Sequence, residues 1–505
     1  MKRSGTPHVV VVGAGPGGLA SAMLLRAQGA RVTVIERAPR VGGRTAAIEQ
    51  DGFTFDTGPT FYLYPEILSE IFAATGRDLD ALVPMRRLDP MYQLRFEDGR
   101  RFDATADLQR LKAEVARLDP ADAENVEAYL KDNLAKFDAF RPVLQKPFLG
   151  LRAFADRDMV RALPHLRPFA TVDQDLGRFF RNPDVRLAFS FQSKYLGMSP
   201  FKCPSLFTIL AHIEYGHGVF HPLGGCNAIP RAMARVLAAM GAAVRLDEPV
   251  EAMTFQGRRA TGVRTAKGTY EADAVVVNAD FAHAMRRMVP DHLRRRWTDA
   301  KIDSKDYSCS TFMLYLGLEG TLDLNHHTIF LASDYARNIK DIEDGLAPEG
   351  ASMYLQNASV TDPSLAPPGH SALYVLVPVG NLAKGAVDWT TQAPLYREVT
   401  LDRLSRLVGR DVRPMIRTER MITPLDWEAQ GIFRGATFNL AHNLGQMLHL
   451  RPRNRFEDVD GVYLTGGGTH PGSGLPTIFE SARIASRLVA DDLGLKRTTT
   501  REAAE

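Results

Sequence analysis

Residues 8–36 read HVVVVGAGPGGLASAMLLRAQGARVTVIE and carry the strongest indication of the fold. A β-branched run, a glycine-rich turn, an apolar helix and a second strand follow one another, and the second strand ends at Glu36. Gly13, Gly15 and Gly18 have the spacing of the βαβ dinucleotide-binding fingerprint. The stretch therefore predicts an α/β fold that begins with a Rossmann-like nucleotide-binding unit.

Each residue of this fingerprint has a physical task. Gly13 permits the tight turn, Gly15 lets the backbone approach a diphosphate, and Gly18 allows the helix to pack closely on the strand. The positive end of the helix faces the anion, and the carboxylate of Glu36 is placed to accept hydrogen bonds from ribose hydroxyls. Taken alone, the glycine pattern also suits a glycine-rich turn in an ordinary α/β fold.

Length and composition indicate a folded chain without a nucleic-acid partner. The 505 residues are 45% hydrophobic and 24% charged, and the formal net charge is +3. Cys203, Cys226 and Cys309 lie far apart and form no CxxC pair, so we expect neither a disulfide framework nor a metal site. Glycines interrupt the apolar N-terminal stretch, and no run reaches the ~18 apolar residues of a membrane span, so we expect no secretory signal and no transmembrane helix.

A second group of glycines follows the nucleotide-binding unit. The run GGR (42–44) comes soon after the second strand, and FDTGPT (55–60) follows it. These glycines and the guanidinium of Arg44 suit a further contact with a diphosphate, because a bidentate guanidinium matches phosphate oxygens. A surface ion pair is the alternative for Arg44.

The segments ERAPRVGGR (36–44) and FDTGPT (55–60) resemble those that clamp FAD in the amine-oxidase and phytoene-desaturase superfamily. This resemblance implies that FAD is the cofactor and that Gly43, Arg44 and Gly58 bind it. It also implies a Rossmann-like FAD domain with two dinucleotide-binding parts, which is interleaved with an α+β substrate domain.

The C-terminal stretch GVYLTGGGTHPGSGLP (461–476) predicts a strand, a glycine loop and the start of a helix. Such a loop lets the backbone approach a flat ring, and the helix N-terminus can face the electron-rich side of a reduced flavin. An ordinary loop-to-helix join is the alternative. The superfamily resemblance implies that Gly467, Leu475 and Pro476 bind FAD here and that Val250 makes backbone bonds near the adenine, although Val250 suits a sheet core equally well.

The same resemblance implies a discontinuous domain organisation. We predict an FAD-binding domain built from residues 1–85, 217–290 and 455–495. A substrate- and membrane-associated domain is predicted from residues 86–216 and 291–454. Residues 496–505 are predicted to form a frayed tail.

Two features that the sequence lacks disfavour several classes of flavin enzyme. The sequence has no second nucleotide fingerprint for a nicotinamide cofactor and no CxxxxC pair, which disfavours reductases and flavin monooxygenases. The loop at 466–474 lacks the aromatic residues that would cage an amine beside the flavin. An oxidase or dehydrogenase that takes hydride from an organic substrate other than an amine remains.

Five further segments resemble the bacterial carotenoid-precursor desaturases of the phytoene desaturase family, namely QSKYLGMSP (192–200), GVFHPLGG (218–225), VVVNADFAHA (275–284), YSCSTFMLYLGL (307–318) and LTGGGTHPGSGLPTIFESARIAS (464–486). The resemblance runs from residue 8 to about residue 493, and its THPGSGLP motif is much more specific than the glycine fingerprint. Phrases such as HHTI and SALYVLVP are most similar to the branch that acts on thirty-carbon, diapophytoene-type precursors. The forty-carbon phytoene branch is the rival.

This family resemblance implies stepwise introduction of double bonds into a linear polyisoprenoid. Hydride passes to FAD, a proton leaves the neighbouring carbon, and the existing double bonds stabilise the allylic cation. The segment RDMVRALP (157–164) has family counterparts beside the proposed substrate path, so Asp158 is a candidate proton acceptor and Arg161 a candidate for holding its charge. His470 in the flavin loop is a third candidate. A solvated i,i+3 ion pair and a structural histidine are the alternatives.

A hydrocarbon substrate implies contact with a bilayer, and reduced FAD implies reoxidation by a quinone or by oxygen. Residues 131–170 carry eight Lys or Arg and four Asp or Glu, interleaved with the apolar residues Phe137, Phe140, Leu144, Phe148, Leu149, Leu151 and Phe154. This pattern suits an interfacial anchor on anionic lipid, and a substrate-domain helix packed on its neighbours is the alternative. We expect a cytoplasmic protein that associates peripherally with the inner face of the cell membrane.

Two other classes of function remain open. Prenyl-protein chaperones that resemble Rab GDP-dissociation inhibitors share this fold without using FAD chemically, but the intact GGR, DTGP and THPGSG segments argue against a chaperone. A carotenoid isomerase or ketolase of the same superfamily would keep the flavin clamp and differ in the substrate tunnel.

Overall fold

The computed structural model describes residues 5–496, so the predicted tail lies almost wholly outside the described range. The strands are β1 (His8–Val12), β2 (Arg31–Ile35), β3 (Ala47–Gln50), β4 (Phe53–Asp56), β5 (Tyr62–Leu63), β6 (Met85–Leu88), β7 (Tyr92–Arg95), β8 (Arg101–Ala104), β9 (Val219–Pro222), β10 (Ala243–Arg245), β11 (Val250–Gln256), β12 (Arg259–Thr265), β13 (Gly268–Glu271), β14 (Ala274–Val277), β15 (Ser310–Glu319), β16 (His327–Phe330), β17 (Met353–Asn357), β18 (His370–Val379), β19 (Ile416–Ile422) and β20 (Val462–Leu464).

The α-helices are α1 (Pro16–Ala27), α2 (Glu66–Ala73), α3 (Leu79–Leu82), α4 (Leu108–Leu118), α5 (Pro120–Ala123), α6 (Val126–Leu144), α7 (Arg157–Ala162), α8 (Val172–Leu176), α9 (Pro183–Ser190), α10 (Ile209–His212), α11 (Ala228–Ala239), α12 (Phe281–Met288), α13 (Asp299–Asp303), α14 (Tyr335–Glu343), α15 (Trp389–Val408), α16 (Pro424–Ala429) and α17 (Leu475–Leu493).

The fingerprint region forms the centre of a five-stranded parallel sheet with the order β10-β2-β1-β14-β20. Val9 and Val11 pack with residues of α1, α11 and α17, whereas Val10 and Val12 pack with residues of α12 and of the β11-β12-β13 sheet. Because both faces are covered, β1 is a continuous apolar run without alternation. The α/β fold with a Rossmann-like unit is confirmed.

A second, seven-stranded sheet has the order β19-β15-β18-β17-β16-β7-β8 and is antiparallel except where β16 pairs with β7. Side chains alternate along β15, because successive residues of a strand point to opposite faces. Phe312 and Leu314 pack on α15, and Met313 and Tyr315 belong to the core cluster on the opposite face. Phe53 and Phe55 of β4 pack in the same cluster on this second face.

The strands of these two sheets come from the segments predicted for the FAD-binding and substrate domains, respectively. One boundary differs, because β6 (Met85–Leu88) pairs with β9 and thus crosses the division placed after residue 85. The three-stranded sheet β5-β9-β6 ties the two parts together at this point. The division into two domains stays a prediction.

The region predicted to contact a membrane is partly buried in the fold and partly exposed. Phe137, Phe140 and Phe148 are buried in two core clusters, because α6 packs its apolar face against α7 and α10. Their assignment to a lipid-facing surface is wrong, whereas Leu151 and Phe154 are exposed. In the described part of the chain, no helix combines the length and the apolar character needed to cross a membrane.

Candidate functional site

A cleft of about 1700 Å³ lies between the parallel sheet and the seven-stranded sheet, and it exceeds the roughly 300–1,000 Å³ of an ordinary small-molecule site. Its walls come from every part of the chain predicted to bind the cofactor. Of those predicted residues, the cleft is lined by Gly13, Gly15, Glu36, Gly43, Arg44, Gly58, Val250, Gly467, Leu475 and Pro476. The structure therefore brings four distant segments to one cavity, and their contacts with a cofactor stay predictions.

The glycine turn after β1 is shaped by close backbone packing. Gly13 has φ +97°, and a Cβ there would lie 2.6 Å from the carbonyl oxygen of Asn278. A Cβ at Gly18 would lie 2.1 Å from the Gly13 carbonyl, so Gly18 packs inside the turn and does not line the cleft. Gly15 has an extended backbone, with φ −75° and ψ 172°, and it faces the cleft directly. Gly13 and Gly18 thus hold the shape of the turn, and Gly15 keeps the cleft open.

Glu36 ties the end of β2 to the glycine turn. Its Oε2 accepts a hydrogen bond from the Ala14 amide (2.7 Å), and its Oε1 accepts from the Ala38 amide (2.9 Å). The side chain is buried yet lines the cleft. Each carboxylate oxygen has further acceptor capacity, so these bonds are compatible with the predicted ribose contact.

Arg44 crosses the cleft wall and contacts a segment almost four hundred residues away in sequence. Its guanidinium donates to the Thr437 carbonyl (2.6 Å), and the Asn439 side chain accepts from it at 3.0 and 3.2 Å. With the Asn439 amide oxygen facing Arg44, its amide nitrogen donates to Asp280 Oδ2 at 2.8 Å. Burial lowers the pKa of Arg44, and the nearby Asp280 carboxylate opposes this shift. The Arg44 guanidinium is thus held at the cleft wall by contacts with the 437–439 segment.

Two tyrosines of the seven-stranded sheet hold the segment that contains Gly58. Tyr315 Oη donates to the Thr57 carbonyl (2.7 Å), and Tyr374 Oη donates to the Gly58 carbonyl (3.1 Å). The preceding Asp56 accepts from a backbone amide of the 225–227 turn, and burial raises its pKa to about 6. The segment is therefore anchored by the seven-stranded sheet and by the turn that follows β9.

The C-terminal glycine loop is supported by an arginine that the sequence analysis missed. Arg451 is 1% exposed, and its guanidinium donates to the backbone carbonyls of Leu440, Ala441, Gly467 and Thr469. Burial lowers the pKa of Arg451 to about 9, so the group remains charged at neutral pH. The loop then leads into α17, whose first residues are Leu475 and Pro476.

His470 lies in this loop but does not line the cleft. Its Nε2 contacts the Lys146 carbonyl oxygen at 3.1 Å, and its ring packs against Phe148. Complete burial lowers its pKa to about 4, so the imidazole is neutral at physiological pH. These contacts agree with the structural-histidine alternative, and a catalytic role for His470 stays a prediction without support from the cleft.

Asp158 and Arg161 also lie outside the cleft. Asp158 Oδ2 forms an ion pair with Lys146 Nζ at 2.5 Å, and Arg161 is exposed on α7. Asp158 therefore pairs with Lys146 and not with Arg161, its i+3 neighbour, because the turn before α7 brings Lys146 close. Proton transfer by Asp158 and charge holding by Arg161 stay predictions, and the geometry does not favour them.

The polar half of the cleft fits a dinucleotide. The glycine turn presents backbone in place of side chains, and the N-terminus of α1 opens toward the cavity. Within the described residues, Thr437 Oγ1 and Asn443 Oδ1 are buried at the cleft wall without a protein partner. Such atoms lose hydrogen-bonding energy unless a ligand or water satisfies them. These features agree with a bound group that carries phosphates and hydroxyls.

Comparison with known proteins agrees with this geometry. Residues 16–490 match the family of flavin-containing amine oxidoreductases. The chain is 43% identical to a 4,4'-diapophytoene desaturase (4,4'-diapolycopene-forming) of Methylomonas sp, over 96% of this chain and 95% of that protein. The chain belongs to the carotenoid-precursor desaturase family within the flavin-containing amine oxidoreductases.

Two further comparisons define the breadth of this desaturase family and of its fold. A neurosporene-forming phytoene desaturase of Rhodobacter capsulatus is 36% identical over 96% of this chain and 94% of that protein. The crystal structure of an oxidoreductase from Methanosarcina mazei superimposes with a TM-score of 0.64 at 17% identity, covering 96% of this chain and 100% of that one. This desaturase-family chain is a flavin-dependent oxidoreductase.

The sequence analysis missed several residues of the desaturase cleft, although one signal was available. Asn278 and Asp280 follow the apolar strand β14, and ligands of parallel α/β sheets bind at the carboxyl ends of the strands. Tyr315, Tyr374 and Arg451 gave no such signal, because they lie in runs that read as ordinary sheet core or basic surface. Only the tertiary contacts reveal what these three side chains hold.

Proposed function

We propose that this protein is an FAD-dependent desaturase that introduces double bonds stepwise into a linear polyisoprenoid carotenoid precursor. One observation carries the proposal, namely that the cleft continues from the glycine turn into an apolar region. Its walls there include Phe61, Phe191, Leu210, Ile213, Ile329 and Leu331. A site that joins a polar dinucleotide cradle to a hydrocarbon-lined space suits a cofactor and an extended apolar substrate together.

The residues of this cleft would divide the work of such a reaction. The glycine turn, Glu36 and Arg44 would hold the nucleotide part of FAD, and the loop around Gly467 would lie against its ring. Bound FAD supplies the hydride acceptor. The apolar walls would align the chain and exclude water, and the conjugated double bonds of the substrate would stabilise the allylic cation.

A thirty-carbon, diapophytoene-type precursor is the favoured substrate. The thirty-carbon preference rests on the segments of β16 and β18 that are similar to that branch and on the 43% identical relative named for 4,4'-diapophytoene. Phytoene is the alternative, because a 36% identical relative is named for it. Reoxidation of FAD by a quinone or by oxygen is part of the proposal.

The test supplies each precursor separately to the flavin-loaded enzyme in liposomes with a quinone. We expect products of the thirty-carbon precursor that absorb at progressively longer wavelength, because each step lengthens the conjugated system. Better conversion of phytoene would overturn the thirty-carbon preference. Cis–trans changes without new double bonds would indicate an isomerase, inserted oxygen would indicate a ketolase, and colourless protein that only binds prenyl chains would indicate the chaperone alternative.

We also propose that the protein docks peripherally on the inner face of the cell membrane through residues 151–169, here called the docking segment. Of the thirteen exposed large hydrophobic residues in the described chain, five lie in this segment, namely Leu151, Phe154, Val160, Leu163 and Phe169. Arg152, Arg157 and Arg161 are exposed among them. Apolar side chains and arginines on one exposed segment suit insertion into an anionic lipid surface.

The combined substitution of Leu151→Ser and Phe169→Ser should weaken binding to anionic vesicles at least tenfold. Leu151 is 71% exposed and Phe169 is 94% exposed, so the change removes apolar area available to lipid without opening the core. Vesicle flotation at several lipid concentrations measures the effect.

Leu395→Ser is the matched control, because Leu395 is also an exposed leucine (61%) but lies on α15, away from the docking segment. It should float like the unmodified protein. Equal flotation of the double variant and the control would remove the docking segment from the proposal.

A further inference from the structure

The proposed reaction releases a proton inside an apolar cleft, and the protein must accept it there. Asp158 is paired with Lys146 outside the cleft, and His470 does not line it. A group that takes the proton has to reach the cavity and to connect with solvent. The following argument rests on the proposed function and concerns the wall formed by β16 and β17.

Tyr354, on β17, lines this cleft. Its Oη is 2.6 Å from Thr60 Oγ1 and 2.8 Å from His327 Nδ1. Thr60 and Tyr354 both line the cavity, whereas His327 lies behind them and is 0% exposed. The three side chains form one continuous hydrogen-bonded chain from the cleft into the protein.

The hydroxyl lies close to the place predicted for the flavin. Thr60 follows Gly58 by two residues, and the ring of Tyr354 lies 5.6 Å from that of Tyr374, whose hydroxyl binds the Gly58 carbonyl. Any hydrocarbon that reaches the segment around Gly58 would therefore pass near Tyr354 Oη. This position distinguishes Tyr354 from the tyrosines on the far face of the sheet.

The ring of His327 is held with its Nδ1 within hydrogen-bond distance of the Tyr354 hydroxyl. Its ring stacks on Phe61 with a centroid distance of 4.0 Å and an interplanar angle of 12°. Burial lowers its pKa well below the usual value, so the imidazole is neutral and has one free lone pair. With Nδ1 as acceptor, the ring proton is on Nε2, and no protein atom among the described residues bonds to that nitrogen.

Two further histidines lie in ring contact beyond His327, between it and a turn that contains Thr361. The ring of His326 lies 4.4 Å from that of His327, and His326 Nδ1 is 2.8 Å from Thr361 Oγ1 on a half-buried turn. His221 packs against His326 at 4.6 Å, and its Nε2 is 3.5 Å from the carboxylate of Asp362. A buried file of three histidines thus leads from the cleft wall to a turn at the surface.

We propose that Tyr354, backed by His327, accepts the proton that desaturation releases. As hydride leaves one carbon for the flavin, the C–H bond of the neighbouring carbon breaks and its electron pair forms the new C=C bond. The proton goes to Tyr354 Oη while the hydroxyl's own proton moves to His327 Nδ1, and His327 releases one from Nε2 toward His326. A carbon next to an allylic cation is strongly acidic, so a weakly basic imidazole is sufficient.

The test measures single-turnover reduction of the flavin in the liposome-bound holoenzyme without oxygen. The loss of the flavin's visible absorbance gives the rate. Tyr354→Phe and His327→Asn should each slow reduction at least about a hundredfold, the lower end of the range for a lost acid–base group. Asparagine keeps an oxygen near the position of Nδ1 but does not accept a proton at neutral pH. Flavin content and the half-saturating substrate concentration should be unchanged.

The kinetic isotope effect distinguishes a catalytic role of Tyr354 from a structural one. It is measured with substrate deuterated at the carbon that loses the proton. We expect this effect to be larger in both variants than in the unmodified enzyme, because proton loss becomes the slow step. Tyr396→Phe is the matched control, since Tyr396 is a buried tyrosine whose hydroxyl donates to the Pro348 carbonyl on the other side of the sheet. It should reduce flavin at the normal rate.

Each remaining outcome decides against the proposal. An unchanged isotope effect, or equal rates for Tyr354→Phe and Tyr396→Phe, would overturn it. A slow Asp158→Asn variant beside a normal Tyr354→Phe variant would return the role to Asp158. Failure of the unmodified enzyme to reduce flavin with any polyisoprenoid would instead overturn the proposed function, and the two failures are distinct because only the second affects the unmodified enzyme.

Discussion

Replacing Gly15 by valine is expected to abolish flavin binding while the chain still folds. The backbone of Gly15 is extended, so valine adopts it without strain, and the nearest atom to a new Cβ is the side-chain nitrogen of Asn278 at 2.8 Å. The rest of the valine side chain would occupy the space beside the N-terminus of α1 where a diphosphate must approach. The flavin absorbance of the purified protein measures the result, and circular dichroism checks the fold.

Gly350→Val is the matched control for this substitution. Gly350 is exposed, and a Cβ there meets no atom within 4 Å. The control should keep its full flavin content. Normal flavin content in Gly15→Val would show that the glycine turn does not bind the cofactor, and an unfolded Gly15→Val protein would contradict the backbone argument.

Replacing Arg451 by methionine should cost about 3–5 kcal/mol of unfolding free energy, because several buried carbonyls lose their donor and each buried polar group left without a partner costs about 1–3 kcal/mol. Methionine fills similar volume but leaves the carbonyls of Leu440, Ala441, Gly467 and Thr469 buried without their donor. Since Gly467 lines the cleft, flavin affinity should fall at least tenfold as well. Urea titration and flavin release measure the two effects.

The control for this prediction is Arg406→Met, which removes an exposed arginine from α15. Its unfolding free energy should change by less than about 0.5 kcal/mol, as is usual for surface positions. If Arg451→Met matched this control in stability and in flavin affinity, Arg451 would not support the glycine loop.

Features that depend on short-range geometry could be predicted from the amino-acid sequence. The role of Gly18 follows from a contact inside one turn, and the order of strand, turn and helix follows from periodicity. The family could also be predicted, because the motifs at 36–44, 55–60 and 464–486 are contiguous runs. Contiguous motifs and short-range patterns can be recognised without knowing which distant segments pack together.

Which side chains reach the cleft could not be predicted from the sequence, because it depends on how distant segments pack. The segment that contains Asp158 and Arg161 packs on α6 at the surface, so a motif position that suggested chemistry became an ion pair with Lys146 and an exposed arginine. Phe137 shows the same effect, because the apolar face of a helix looks alike whether it meets lipid or protein.

The contacts that position the site join residues far apart in sequence. Arg44 meets Thr437, and Thr60 meets Tyr354, across separations of 393 and 294 residues. No periodicity or spacing records such pairs, because the side chains involved are ordinary members of strands and loops in their own neighbourhoods. They become a site only when hydrophobic burial closes the two sheets over one cleft and leaves those polar groups facing one another.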